Sequence, residues 1–290
     1  MKRINLFASL ILLIGLMTGC GGSGNKKGSG DNKNGNKVFE PGITMAIKIN
    51  GVAEVNLISP EPANIDWGDG SPVEIAECAG YVFVTFSHSY QKEGDYNVKI
   101  TGEKIESFGV ENLTVTDLEI NLPNLTDLYC KSKVLSELEL GYCPELKVLN
   151  CETCVKLKSL DTSKNPKLNS INISDSGVSD FDFGKVPLLY SISCSRCNLT
   201  TLDLSKNPEL QSLVCKGNQL TGLDLSKNPL LKNVYIGENE MSAEVLNAVF
   251  ISLHDNAKPD ENIIYIADNP GIKECDKKIA ENKGWKVVDW

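Results

Sequence analysis

Hydrophobic and polar positions fall into four successive patterns along this chain. The first is a mostly apolar run from Ile4 to Met17, broken by Asn5, Ser9 and Gly15 and preceded by Lys2 and Arg3. It is too short to span a bilayer in the usual way and reads as an export signal. Residues 21–37 contain no hydrophobic side chain. Their glycine- and asparagine-rich composition predicts a flexible tether with an r.m.s. reach of about 20–25 Å. The second pattern, residues 41–103, alternates as strands do in Ile47-Lys48-Ile49-Asn50, Val82-Phe83-Val84-Thr85-Phe86 and Tyr96-Asn97-Val98-Lys99-Ile100. Pro60, Pro62 and the turn Gly68-Asp69-Gly70-Ser71-Pro72 separate these runs, which predicts an antiparallel β unit.

From residue 113 the chain repeats itself. A proline recurs at positions 123, 144, 166, 187, 208 and 229, in steps of 21 residues with one step of 22. The clearest unit reads LxxLxCxxNxL from Leu210 to Leu220 and LxxLxLxxN from Leu220 to Asn228. Each half predicts a short strand with its i and i+2 apolar residues facing inward, and the stack as a whole supplies the core. Two parallel sheets on opposite walls of a flattened coil follow from this pattern, with an asparagine capping the turn at the end of each half. The fourth pattern closes the coil over residues 241–290. Ser242 opens an amphipathic helix with Val245, Leu246, Val249, Phe250 and Leu253 at helical spacing, and Ile263 to Ile266 reads as a strand. Ile272 to Lys283 reads as a second helix ended by Gly284, and Trp285 to Trp290 as a last strand.

Three of these stretches resemble known families. Leu16-Met17-Thr18-Gly19-Cys20 resembles the lipobox of bacterial lipoproteins, which implies a lipid-modified, palmitate-bearing Cys20 after a signal peptide of residues 1–19, with residues 20–40 as the lipidated cysteine and its linker. An ordinary signal peptide is the alternative. Asp66-Trp67-Gly68-Asp69-Gly70, with Phe86-Ser87-His88-Ser89-Tyr90 and Gly94-Asp95-Tyr96-Asn97-Val98 behind it, resembles the PKD family of immunoglobulin-like sandwiches. The units of residues 104–240 resemble leucine-rich repeats, and more narrowly a bacterial 21-residue class. The whole resembles a Bacteroidota-like lipoprotein. The fold expected is mainly β: a PKD-like sandwich over 41–103, a leucine-rich-repeat solenoid over 104–240 and an α/β C-terminal cap over 241–290.

Composition narrows the function. The net charge is −9 and only two arginines occur, Arg3 and Arg196, which argues against a nucleic-acid partner. Ten cysteines include two CxxC pairs, Cys151/Cys154 and Cys194/Cys197, with the outline of a four-thiolate zinc site. The repeat register argues against it. Cys130, Cys151, Cys194 and Cys215 share one inward position with Ile173 and Ile236, while Cys154 and Cys197 share the asparagine position with Asn218 and Asn239. Cys151 and Cys194 then lie two rungs apart, about 9–10 Å at strand spacing, when thiolates on one zinc must be within about 5 Å of one another. No metal or cofactor is expected, and free thiols are.

No catalytic centre assembles from the motifs. His88 and Asp69 are the nearest to one, but the PKD resemblance implies that they are fold determinants. The register puts Glu119, Glu139, Asp161, Asp182, Asp203 and Asp224 in an outward row on one wall, which either binds a cation such as Ca²⁺ or, with Lys164, Lys185, Lys206 and Lys227 beside it, keeps the wall soluble. The opposite wall presents Tyr129, Asn150, Asn172, Ser193, Val214 and Tyr235, flanked by small polar residues. This near-neutral wall is the expected partner-binding surface, for a protein or peptide or, alternatively, a glycan. The expected function is that of a non-enzymatic, lipid-anchored protein of the cell envelope, at the outer membrane of an anaerobic diderm, adhesin- or receptor-like. The alternative is a glycan-binding accessory lipoprotein, and surface and periplasmic exposure both stay open.

Overall fold

The computed structural model describes residues 41–290, apart from residues 79, 81, 112, 259 and 260. The export signal, Cys20 and the tether lie outside the described residues. Six strands come first: β1 (Gly42–Ile49), β2 (Val52–Ile58), β3 (Ala63–Asp66), β4 (Glu74–Ala76), β5 (Val84–Ser89) and β6 (Gly94–Thr101). The first coil of the repeat contributes β7 (Ser107–Val110) and β8 (Thr114–Asn121). Each later coil adds one strand: β9 (Asp127–Cys130), β10 (Val148–Asn150), β11 (Ser170–Asn172), β12 (Ser191–Ser193), β13 (Ser212–Val214) and β14 (Asn233–Tyr235). The C-terminal stretch adds α1 (Ala243–Ser252), β15 (Ile263–Tyr265), α2 (Lys278–Glu281) and β16 (Lys286–Val288).

These strands make two sheets. One has five strands in the order β4-β3-β6-β1-β8, and the other has eleven, running from β16 back through β9 to β7, β2 and β5. The first coil joins the two parts of the molecule. Its β7 pairs antiparallel with β2 on one side and parallel with β9 on the other, while β8 pairs antiparallel with β1. The long sheet therefore runs unbroken across residue 104. One apolar core follows it, from Met45, Val55 and Trp67 through Ile105 and Phe108 to Leu128 and beyond, all at most 1% exposed.

The tryptophan motif is a packed knot. Trp67 Nε1 donates to Glu74 Oε2 (3.1 Å), Tyr90 Oη donates to the Trp67 carbonyl (2.7 Å), and the His88 ring lies flat on Trp67 with centroids 5.2 Å apart. Gly68 has φ +78°, and a Cβ there would stand 2.2 Å from the Asn97 carbonyl oxygen. Only glycine fits this turn. His88 Nε2 meets Asp69 Oδ2 at 2.8 Å, and hydrogen bonds from Ser71 and His88 hold the Asp69 carboxyl well below the usual carboxylate range. With its ring covered by Trp67 and by Tyr90 (centroids 4.7 Å), His88 is a packing element of the knot.

In the coil, Leu128, Leu149, Ile171, Ile192, Leu213, Val234 and Ile264 form one inward ladder, and Cys130, Cys151, Ile173, Cys194, Cys215, Ile236 and Ile266 form the next, each residue at most 1% exposed. The expected second parallel sheet does not form among the described residues: beyond β8 the second halves carry no strand ladder. A local turn competes there. Asp161, Asp203 and Asp224 each accept, through Oδ1, the backbone N–H two residues on (2.9 Å), which bends the chain where a ladder would need it extended. Asparagine side chains tie these coils together instead. Asn165, Asn207 and Asn228 each donate through Nδ2 to two carbonyls of the preceding coil, at 2.8–3.1 Å.

The C-terminal stretch differs from expectation in its second helix. α1 begins as expected, with the Ser242 hydroxyl accepting from Val245 N. The stretch from Ile272 is turns until α2, because Asp276 N bonds Asn247 Oδ1 of α1 (2.7 Å) and Asp276 Oδ1 takes Lys278 N (3.1 Å), breaking the helical ladder. Lys283 Nζ, near the end of that stretch, donates to the Ile251 and Leu253 carbonyls at the C-terminus of α1, where a cation is favoured.

Candidate interaction wall

The eight parallel strands from β9 to β16 form the wall on which the sequence places a binding surface. Period-2 alternation sends Leu128 and Cys130 inward, so Asp127 and Tyr129 point out. The register makes Tyr129, Asn150, Asn172, Ser193, Val214 and Tyr235 consecutive Cα partners, all partly exposed. The structure brings all six into one row. It also lengthens that row: Gly109 precedes Tyr129, and Tyr265 and Val288 follow Tyr235. Sequence reasoning missed Tyr265 because Ile263 to Ile266 falls after the last recognisable repeat. Its alternation, Ile264 and Ile266 inward with Tyr265 outward, is nevertheless that of every earlier coil.

Aromatic rings mark both ends of the row. Identical rings on adjacent parallel strands are held at strand spacing, and Tyr235 and Tyr265 stack with centroids 4.3 Å apart and planes 8° apart. At the other end the Phe83 ring stands edge-on to Tyr129, centroids 5.6 Å apart. Burial, with the neighbouring Asp127 charge, pushes the Tyr129 phenol up to about 12, and burial beside Tyr265 raises Tyr235 also. Both phenols stay protonated donors at neutral pH.

The middle of the wall is uncharged, and along one rim the charges form ion pairs. Ser170, Ser174, Ser191, Ser195 and Ser212 surround Asn172 and Ser193. On one flank, Asp127 accepts from Ser107 (3.1 Å) and Thr126 (2.6 Å). On the other, Lys131 reaches Glu111 and Glu152 (3.3 Å each), Arg196 grips Asp175 at 2.5 and 2.6 Å, and Lys216 meets Glu238 at 3.0 Å. Along this rim Thr153, Asp175, Arg196, Gly217, Glu238 and Asp268 hold the same corner of successive coils, all with φ between +53° and +69°.

The cysteines are part of the wall's support. The eight from Cys130 to Cys275 are free thiols. Asn218 Nδ2 donates to the Cys194 and Cys215 carbonyls (2.9 Å each), and the residues at the equivalent position one coil and three coils earlier are cysteines that donate in the same way. Cys154 Sγ donates to the Cys130 carbonyl (3.1 Å) and Cys197 Sγ to the Ile173 carbonyl (3.0 Å). The CxxC spacing thus reflects one inward thiol and one thiol in an asparagine's place. Burial pushes Cys143 up to about 11 and Cys215 up to about 12, and raises Cys194. Cys154 is drawn the other way by hydrogen bonds with the Cys130 and Cys151 thiols.

On the other face, five of the six row carboxylates, Glu139, Asp161, Asp182, Asp203 and Asp224, accept the backbone N–H two residues on at 2.8–3.0 Å. Each spends an oxygen on its own turn. Where β8 meets the second coil this face sinks into a groove of about 280 Å³, lined by Thr44, Lys99, Asp117, Glu119, Glu137, Glu139 and Tyr142 over an apolar floor of Ile43, Leu118 and Ile120. Tyr142 is 51% exposed there.

A parallel β-ladder closed by asparagine-capped turns, with leucines stacked coil on coil, is the fold of a leucine-rich-repeat solenoid. Among solved structures, the functional domain of InlJ from Listeria monocytogenes, which includes a cysteine ladder, has this fold: 20% identity and a TM-score of 0.50 over 64% of this chain and 44% of that one. This chain spans less than half the length of that domain. The leucine-rich-repeat protein LIC12759 of Leptospira interrogans is 17% identical over 57% of this chain and 55% of its own, with a TM-score of 0.42. No family model and no curated protein matches the sequence.

Proposed function

We propose that this chain is a non-enzymatic cell-envelope lipoprotein that presents the β9–β16 wall to a protein partner. The observation that carries this reading is the distribution of charge: uncharged serines and asparagines at the centre, ion pairs turned inward on one another at the rim. Such a surface loses water at small cost and leaves no unpaired charge under a partner seated at its centre. The Tyr235–Tyr265 stack suits an anchor, since tyrosine gives contact area with little rotamer entropy to lose. Each ring spends one face on the other, which halves the area the pair could offer as a sugar platform.

In this reading residues 41–103 are a PKD-like sandwich that seals the first coil, residues 241–290 are an α/β cap that seals the last, and the lipid on Cys20 tethers both to the outer membrane. Changing Tyr235 and Asn150 together to alanine should abolish partner binding, with thermal stability nearly unchanged; binding that survives refutes the wall. Replacing Cys20 by serine should release the protein into the soluble fraction, and continued membrane association refutes the anchor.

A second reading, glycan capture, is favoured by the groove at β8. An exposed ring beside carboxylate acceptors suits a polyhydroxylated ligand. A glycan array answers it: signal that disappears in Tyr142→Ala but not in the wall variant assigns the function to the groove.

A further inference from the structure

Asn150 and Asn172 sit side by side at the centre of the wall as Cα partners on β10 and β11. Each side-chain oxygen is already engaged: Asn150 Oδ1 accepts from Glu152 N and Asn172 Oδ1 from Ser174 N, both at 3.0 Å. These bonds fix which end of each amide is which, so both Nδ2 groups face outward, and neither has a hydrogen-bond partner among the described residues. The wall thus centres on two neighbouring amides whose oxygens are turned to their own backbone and whose donor ends are presented outward. At the spacing of adjacent strands they stand about 4.8 Å apart.

Resting on the wall reading above, we propose that this pair seats a single main-chain carbonyl oxygen of an extended protein segment. The two lone pairs of an sp² oxygen lie about 120° apart, and at about 2.9 Å each they reach donors about 5 Å apart. The pair matches one oxygen. Competing ligands fit less well. A sugar hydroxyl brings a proton that needs an acceptor, and both amide oxygens here are turned away to the backbone. A carboxylate adds negative charge to a chain whose net charge is already −9.

The test exploits a substitution the molecule already contains. Asp161 and Asp203 make the same bond to the backbone N–H two residues on, so Asn150→Asp with Asn172→Asp keeps both turns while replacing donors by acceptors. Random dodecapeptides displayed on phage are selected on the purified full-length chain. The enriched peptides are then measured on the wild type, on the double aspartate variant and on Tyr235→Ala, with thermal melting of all three. The expected result is at least a tenfold loss of affinity in the aspartate variant with unchanged melting. Peptides that lose affinity in Tyr235→Ala but not in the aspartate variant overturn the carbonyl seat and leave the wall standing. Peptides indifferent to both changes overturn the wall as well. Enrichment of none on the wild type also counts against an extended segment as the occupant.

Discussion

Asn218 offers the most direct measure of what holds one coil to the next. Its side chain is 5% exposed and makes four bonds: Nδ2 to the Cys194 and Cys215 carbonyls (2.9 Å each), and Oδ1 from Cys197 N (2.9 Å) and Leu199 N (3.1 Å). Alanine at 218 removes all four bonds and leaves three of the backbone groups without partners, the Cys215 carbonyl keeping Asn239 Nδ2 (3.1 Å). At about 1 kcal/mol net per bond the loss comes to about 4 kcal/mol, a large part of the about 5–15 kcal/mol that a domain possesses. Cysteine at 218 should lose less, about 3 kcal/mol, because a thiol at this position can still donate to the preceding coil as Cys197 does to Ile173. Urea unfolding of residues 38–290, followed by circular dichroism and by tryptophan fluorescence, gives both values from the midpoint shift at constant slope. An alanine variant within about 1 kcal/mol of the wild type, or a cysteine variant worse than alanine, would refute the view that these side chains stitch the coils.

The corner residues and the acidic row give two further predictions. Thr153 is β-branched at φ +66°, so Thr153→Gly should raise stability by about 1 kcal/mol, whereas Gly217→Ala should lower it by about 1–2 kcal/mol. The second change carries an added clash, since a Cβ at 217 stands 2.8 Å from Arg196 Cγ; the same urea assay reads both. Backbone and side-chain bonds from Ser163, Ser205 and Ser226 lower the Asp161, Asp203 and Asp224 carboxyls below their ordinary 3.8. Groups lowered in the folded state stabilise it above the unfolded value and lose that effect as pH falls through the folded one. Stability should therefore decline below pH 3.8, and the triple asparagine variant should flatten that decline; an unchanged pH profile refutes the attribution.

How much of this could be read beforehand follows from the range of each interaction. The 21-residue register names the inward ladders residue by residue, because burial within a coil is set by local alternation: Cys151 and Cys194 go in, and Asn150 and Ser193 go out. Pairing between strands is another matter. Nothing within reach of Thr114 to Asn121 in the sequence shows that they will bond β1, some 70 residues earlier. The second wall failed for a similar reason. Leucine spacing such as Leu223 and Leu225 suits an extended chain, but the Asp224 carboxylate turns the backbone two residues on, and hydrophobic period does not register that competition. Tyr265 escaped notice because α1 and its following loop, inserted between β14 and β15, lengthen the last interval beyond the repeat.

The fusion of β7 with both its neighbours makes the repeat number an adjustable dimension. With one end sealed by the N-terminal strands and the other by α1 to β16, a complete 21-residue turn can be gained or lost between β9 and β14 without altering either terminus. Each such change would move the two aromatic ends of the wall apart or together by one strand spacing, about 4.8 Å. Length in this molecule is a counted quantity, set by whole coils.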